Sequence, residues 1–269
     1  MSEYQYYEFL AIDRVLSSAD QRALREISSR ATISSTHFVN EYSFGDFKGD
    51  AVGFLHRWFD AHVYFANWGT YRFYFSVPGG NDYAKLYRKY LGEDGVSAKK
   101  SRIVLQIEAS QDGGDYVEDE GWMKRLIAIR REVMSGDLRP LYIGWLAGIC
   151  DENNPIDGKE PPVPAGLKKL SPAQESLVEF LQLSEKLTKI AFEPSPPLPK
   201  KQEAGNLYDE WLKKLSPADL REVLKEVLES DDLNPLRARV RKEMPLSRQS
   251  AATIPGKRSS EELIDAAFG

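Results

Sequence analysis

The chain has 269 residues, 42% of them apolar, enough to supply a sizeable core for one large or two modest domains. Its 36 Lys and Arg against 41 Asp and Glu leave a net charge of −5, which argues against non-specific binding to nucleic acid or an anionic membrane. Cys150 is the one cysteine, which excludes an intramolecular disulfide and a cysteine-rich zinc site, and no run approaches the ~18 apolar residues of a membrane span.

The opening MSEYQYYEF lacks the basic-then-apolar layout of a secretory signal, so the expected location is the cytoplasm, with no membrane partner. Tyr4 to Ile12 carries apolar side chains on both faces and reads as a central strand. Ser18 with Gln21 has the spacing of a capping box and starts a helix reaching Ser28. Thr32 to Phe44 alternates as a second, longer strand. Gly45 to Asp50 is a turn, and Asp50 is placed to cap a helix from Ala51 to about Asp60. Val63 to Ala66 and Tyr71 to Val77 read as aromatic strands joined by Asn67-Trp68-Gly69-Thr70. The block from Tyr42 to Val77 holds thirteen of the chain's thirty aromatic residues. Periodicity assigns Phe54, Trp58, Phe59, Phe65, Phe73 and Phe75 to the core and leaves the two loops as candidate working surface.

Asp82 opens an amphipathic helix with Tyr83, Leu86, Tyr87, Tyr90 and Leu91 on one face and Lys85, Arg88 and Lys89 outside. Arg102 to Ala109 alternates as a half-buried strand. An acidic loop from Gln111 to Gly121 leads into a helix from Trp122 to about Ser135. Leu138 to Cys150 is apolar nearly all round and reads as a buried helix or extended plug. These elements give an α+β domain over residues 1–150, with a mixed or mainly antiparallel sheet packed by helices.

Residues 151–166 have linker composition. Residues 167–240 form a helical C-terminal portion with a Pro-rich spacer at 193–204, whose PxxP spacings read as a linker or a ligand for a partner groove. Leu167-Lys-Lys-Leu-Ser-Pro-Ala173 recurs as Leu212-Lys-Lys-Leu-Ser-Pro-Ala218. Each copy puts Ser at a helix N-cap and Pro at the first helical position, so shared helix-start chemistry explains the recurrence more simply than a true repeat. Residues 241–269 read as a flexible tail with a short helix started by Ser260.

The runs Tyr6-Tyr7-Glu8-Phe9-Leu10-Ala11-Ile12-Asp13-Arg14, Val39-Asn40-Glu41-Tyr42 with Gly45 to Asp50, Ala66-Asn67-Trp68-Gly69-Thr70, and Pro161 to Leu167 together resemble an uncharacterised bacterial protein family. The resemblance spans residues 1–192 and implies no activity, cofactor or catalytic residue. Similar members often continue into a long charged helical tail, which here is short or diverged.

Three constellations could carry chemistry. A metal or acid–base site could draw on Asp46, Asp50 and Glu108, or on His56 and Asp60 at helical i, i+4 spacing with His62 nearby. The simpler assignment makes Asp50 a helix cap, His56 and Asp60 a solvated pair and His62 a half-exposed strand residue, with no metal and no cofactor. The acidic loop Asp112, Asp115, Glu118, Asp119 and Glu120 matches no EF-hand pattern. Arg72, Tyr74, Lys85, Arg88 and Lys89 could stack on and pair with a nucleic acid. Cys150 sits in an apolar run where a thiol is normally inert packing, and the G-x-S-x-G, phosphate-loop, dinucleotide and H-E-x-x-H signatures are absent. The binding-surface candidates are therefore Asp46, Lys48, Asp50, Trp68, Arg72, Tyr74, Lys85 and Arg88. The function expected is a non-catalytic interaction or regulatory protein with a protein partner in a cytoplasmic complex. A metal-dependent enzyme acting on phosphodiesters and a nucleic-acid-binding module are the alternatives, and oligomeric state stays open.

Overall fold

The computed structural model describes residues 3–45, 47–111, 121–151, 153, 155–198, 211–229, 236 and 252–269. The chain is α+β. A seven-stranded sheet, antiparallel at every pairing, runs in the order β2-β3-β1-β4-β5-β7-β6, formed by β1 (Gln5–Leu10), β2 (Thr32–Ile33), β3 (His37–Tyr42), β4 (Ala61–Ala66), β5 (Thr70–Pro78), β6 (Val96–Lys99) and β7 (Arg102–Ser110). β1 lies between β3 and β4, as its two apolar faces require. The long second strand expected from Thr32 breaks at Ser34, Ser35 and Thr36, which separate β2 from β3. Gly69 takes φ +91° in the β4–β5 turn, a left-handed conformation that a side chain would strain.

The two sheet faces bury different cores. One face sets Phe9 and Phe38 against α1 (Ser18–Ile27) and α2 (Ala51–Arg57), where Phe9, Phe38, Phe47, Phe54 and Phe59 interlock with ring centroids 5.2 to 6.4 Å apart. Tilted and edge-to-face pairs of this kind add about 0.5–1.5 kcal/mol each to area burial. The other face, carrying Val63, Phe65, Phe73, Phe75, Ile103 and Leu105, packs on α3 (Asn81–Leu91), α4 (Trp122–Leu126), α5 (Ala128–Met134) and α6 (Arg139–Ile149). Every residue of α6 is buried, as its uniform apolarity predicts. The six aromatics assigned to the core by periodicity are all buried.

Several local expectations shift. The first capping box is Ser17 with Asp20, one residue before the expected Ser18. Asp50 stands at the N-cap of α2 but makes no side-chain cap hydrogen bond, and α2 ends at Arg57, short of Asp60. The expected helix from Trp122 divides into α4 and α5 at Ile127.

Residue 150 is not a break in packing. The supposed linker contributes a buried Glu160 and Val163, and Tyr90 Oη donates to Pro162 O at 2.8 Å. Within it, β8 (Val163–Pro164) pairs with β9 (Thr253–Ile254), a strand of the supposed flexible tail. Helices α7 (Pro172–Phe180), α8 (Glu185–Phe192) and α10 (Ser260–Phe268) share the larger core through Leu177, Phe180, Leu187 and Leu263, each fully buried. The described end of the chain, 252–269, is thus part of the fold. Between them stands α9 (Pro217–Glu229), which has no buried residue.

The two Leu-Lys-Lys-Leu-Ser-Pro-Ala copies share only cap chemistry. Ser171 and Ser216 each accept the amide of the third helical residue, Gln174 and Asp219. Beyond the caps, Leu177 and Phe180 of α7 enter the core, while the same offsets in α9 hold Glu222 and Lys225. Gln174 also reaches Glu132 at 2.8 Å and Asp137 at 3.0 Å, anchoring α7 to α5 and to the turn before α6. Among the described residues no helix is long and apolar enough to cross a membrane.

Candidate binding cleft

Antiparallel register brings Arg72 of β5 directly opposite Glu108 of β7, and Tyr64 of β4 directly opposite Arg72. Neighbours on one face stand about 4.5–5.5 Å apart at Cβ, so residues far apart in sequence become one charged row. Arg72 Nε lies 3.4 Å from Glu108 Oε2 without hydrogen-bond geometry, and its guanidinium sits 5.0 Å above the Tyr64 ring. The Tyr74 hydroxyl donates to Glu108 Oε1. Burial raises the Tyr74 pKa, and the Glu108 charge raises it further, so Tyr74 stays a neutral donor. Burial would lower the Arg72 pKa, but its acidic neighbours, the Glu108 carboxylate among them, hold it above the ordinary value. Tyr7 and Tyr64 continue the row inward, their hydroxyls donating to Gln5 Oε1 at 2.7 and 3.2 Å.

This row opens on a cleft of about 630 Å³ that also takes in Glu93, Asp94, Asp151 and the glycines of α6, Gly144 and Gly148. The cleft exists because β6 is short. It pairs with β7 only from Arg102 to Leu105, and Gln106 N–H reaches Gly95 O at 2.9 Å. Beyond that, no described strand covers the outer edge of β7, so strand alternation turns the amides and carbonyls of Glu108 and Ser110 toward the cleft. Among the described lining residues, four carboxylates, Glu93, Asp94, Glu108 and Asp151, stand against one guanidinium, that of Arg72. Glu93 is partly neutralised by Arg88 Nε at 2.8 Å.

Of the residues singled out from sequence, Arg72, Tyr74 and Glu108 are brought together, and Arg88 stands at the cleft's rim through Glu93. Tyr74 is buried and offers no open stacking surface. Lys85 is exposed on α3, which packs against the opposite sheet face, so it does not share a surface with Arg72. Trp68 is exposed in the β4–β5 turn, and Lys48 and Asp50 are exposed beside α2. Asp46 and the five carboxylates of the acidic loop lie outside the described residues.

The histidine and aspartate assignments change most. Asp60 is not a solvated partner of His56 but a fully buried carboxylate, accepting from Ile12 N at 2.6 Å, Asp13 N at 2.7 Å and Arg102 Nη2 at 2.5 Å. Burial would raise its pKa, but Arg130, Arg102 and these amides hold it below the usual value. His62 is buried rather than half-exposed, stacked 3.9 Å from Phe9 with Nδ1 3.0 Å from Glu8 O. Desolvation pushes its pKa down to about 3, so it is neutral packing. His56 Nε2 meets Ser97 Oγ at 2.9 Å, and among the described residues its Nδ1 has no hydrogen-bond partner to orient the ring as the third member of a catalytic triad would. Among the described residues no three His, Cys, Asp or Glu side chains converge for a metal ion. The Cys150 thiol is pushed up to about 11 by burial, consistent with inert packing.

The sequence singled out Arg72, Tyr74 and Glu108 but not their pairing. Gly144, Gly148 and Asp151 were missed because an apolar run and a linker composition carry no sign that their backbone lines a cavity. Comparison of the chain with protein families, with curated proteins and with solved structures gave no match in any of the three.

Proposed function

We propose that the protein is a non-catalytic interaction protein of the cytoplasm whose working surface is this cleft, which receives an extended, basic segment of a protein partner. The observation that supports the reading is the edge of β7, uncovered by any described strand, opening on a cavity whose described charged groups are four carboxylates and one guanidinium. Main-chain donors and acceptors at Glu108 and Ser110 supply pairing for an added strand, and Asp94, Glu108 and Asp151 supply the charge preference. Arg72 is already engaged by Glu108 and Tyr64, so it sets the shape of the floor. The same excess of carboxylates disfavours a nucleic-acid backbone.

Selection of displayed random peptides against the intact chain tests this. Enrichment of Lys- or Arg-bearing sequences is expected, with salt-sensitive binding lost in Asp94→Lys and Glu108→Lys. Hydrogen exchange at the Glu108 and Ser110 amides should slow on binding. Selection of acidic peptides, or binding that leaves those two amides unchanged, would remove the proposal.

A further inference from the structure

Leu220, Val223, Leu224, Val227 and Leu228 fall on one stripe of α9 at the i, i+3, i+4, i+7, i+8 spacing of a packed helix. Yet Leu224 is 58% and Leu228 76% exposed, and Leu220 and Val227 are exposed as well. With Leu212 they make up half of the large apolar side chains standing exposed among the described residues. A helix of 13 residues is marginal in water unless its apolar face packs on something. Around the stripe, the 3.6-residue turn places Asp219, Glu222 and Glu226 along one flank and Arg221 and Lys225 along the other, leaving α9 acidic on balance with Glu229.

The same chain carries a matching surface. Between the segment before α7 and the end of α8 lies an open groove of about 760 Å³, floored by Leu167, Leu170, Ile190 and Phe192. Its rims hold Lys168, Lys169 and Lys189 against Glu175 and Glu193, so the groove is basic on balance where α9 is acidic. A helix with anchors at i, i+4, i+7 and i+8 set in an apolar groove with charged rims is a recurrent recognition mode.

We propose that α9 of one copy lies in this groove of a second copy, and reciprocally, so that the protein is a two-fold symmetric dimer held by two identical helix-in-groove contacts. Within one chain Leu220, Leu224, Val227 and Leu228 of the stripe stand exposed and Val223 half-buried. Two copies exchanging α9 cover both stripes and both grooves, and a reciprocal exchange closes instead of propagating into a filament. The surface is separate from the cleft beside β7, so this inference stands or falls independently of the proposed partner.

Sedimentation velocity of the full chain over a range of concentrations is the first test. A dimer is expected, converted to monomer by Leu224→Glu with Leu228→Glu. Both side chains are exposed, so the melting temperature of a monomeric variant should otherwise match that of a dissociated parent. The second test uses a Cys150→Ser background with Leu224→Cys and Ile190→Cys on separate chains. Mild oxidation of the mixture should give a covalent dimer that neither chain gives alone. A parent that stays monomeric at every concentration overturns the proposal, as does a dimer that survives the double Glu substitution. So does a disulfide that forms only within a chain carrying both cysteines. Co-sedimentation of a monomeric parent with phosphatidylserine vesicles would also overturn it, assigning the stripe to a lipid surface.

Discussion

Arg258 and Glu160, ninety-eight residues apart, form a forked ion pair in which Arg258 Nε lies 3.1 Å from Glu160 Oε2 and Nη2 meets Oε1. The Glu160 side chain is 1% exposed. Its Oε1 also accepts from Tyr142 Oη at 2.6 Å, and Arg258 donates onward to the Ile190 and Ala191 carbonyls at 2.8 and 3.0 Å. One guanidinium thus fastens the C-terminal segment to α6, α8 and the segment before β8.

Arg258→Ala leaves Glu160 buried without its counter-ion, and removal of one partner of such a pair typically costs about 3–5 kcal/mol. A drop of this size in chemical denaturation is expected, with earlier proteolytic release of 252–269. Glu160→Gln should cost less, because the amide still accepts from Tyr142 and leaves no buried negative charge. Equal stability of the parent and Arg258→Ala would show that the fork holds nothing in place.

Asp60 predicts acid lability. Its folded pKa is depressed relative to the ordinary value of 3.8, so its contribution is complete above that value and is lost as pH falls through the lower folded pKa. Asp60→Asn should destabilise the protein near neutral pH, leaving Arg102 and Arg130 facing a neutral amide, and should flatten the stability profile below about pH 4. Denaturation midpoints across that range check both effects. An unchanged acid limb would assign the lability elsewhere.

His62 acts in a different window. Folding holds it neutral down to about pH 3, while the unfolded chain takes up the proton near 6.5. Between these values the unfolded state binds more protons, so stability rises with pH, by at most about 1.4 kcal/mol per unit from this one group. His62→Phe keeps the stacking on Phe9 and removes the titration. Its melting temperature should therefore depend less on pH between 6.5 and 4 than the parent's. A parallel pair of profiles would mean the imidazole is protonated within the fold.

Gly148→Ala probes the wall of the cleft. A Cβ there would lie 2.3 Å from Ile156 Cδ1 and 2.8 Å from Cγ1, so the Ile156 side chain, which lines the cleft, must shift. Overpacking of this kind costs about 1–3 kcal/mol. The melting temperature should fall and the selected basic peptides should bind more weakly, whereas Gly80→Ala, where a Cβ meets nothing within 4 Å, should do neither. Equal peptide affinity in the two variants would place the binding surface away from α6.

Periodicity by itself identified β1 as central, the aromatic core positions from Phe54 to Phe75, the all-buried α6 and the Ser171 and Ser216 helix starts. These depend on neighbours within a turn or a strand, where geometry follows from sequence spacing. Arg72 and Glu108 were named separately, and only cross-strand register made them partners. The same limit explains Asp60 and His62, which look like solvated residues until Arg102, Phe9 and the Glu8 carbonyl close over them from other strands. It explains the tail as well, whose composition gave no sign of packing because Leu263 and Arg258 meet their partners in α8 and Glu160. Spacing fixes what each segment can become, while the state of a charge or a buried face depends on groups that folding brings from elsewhere in the chain.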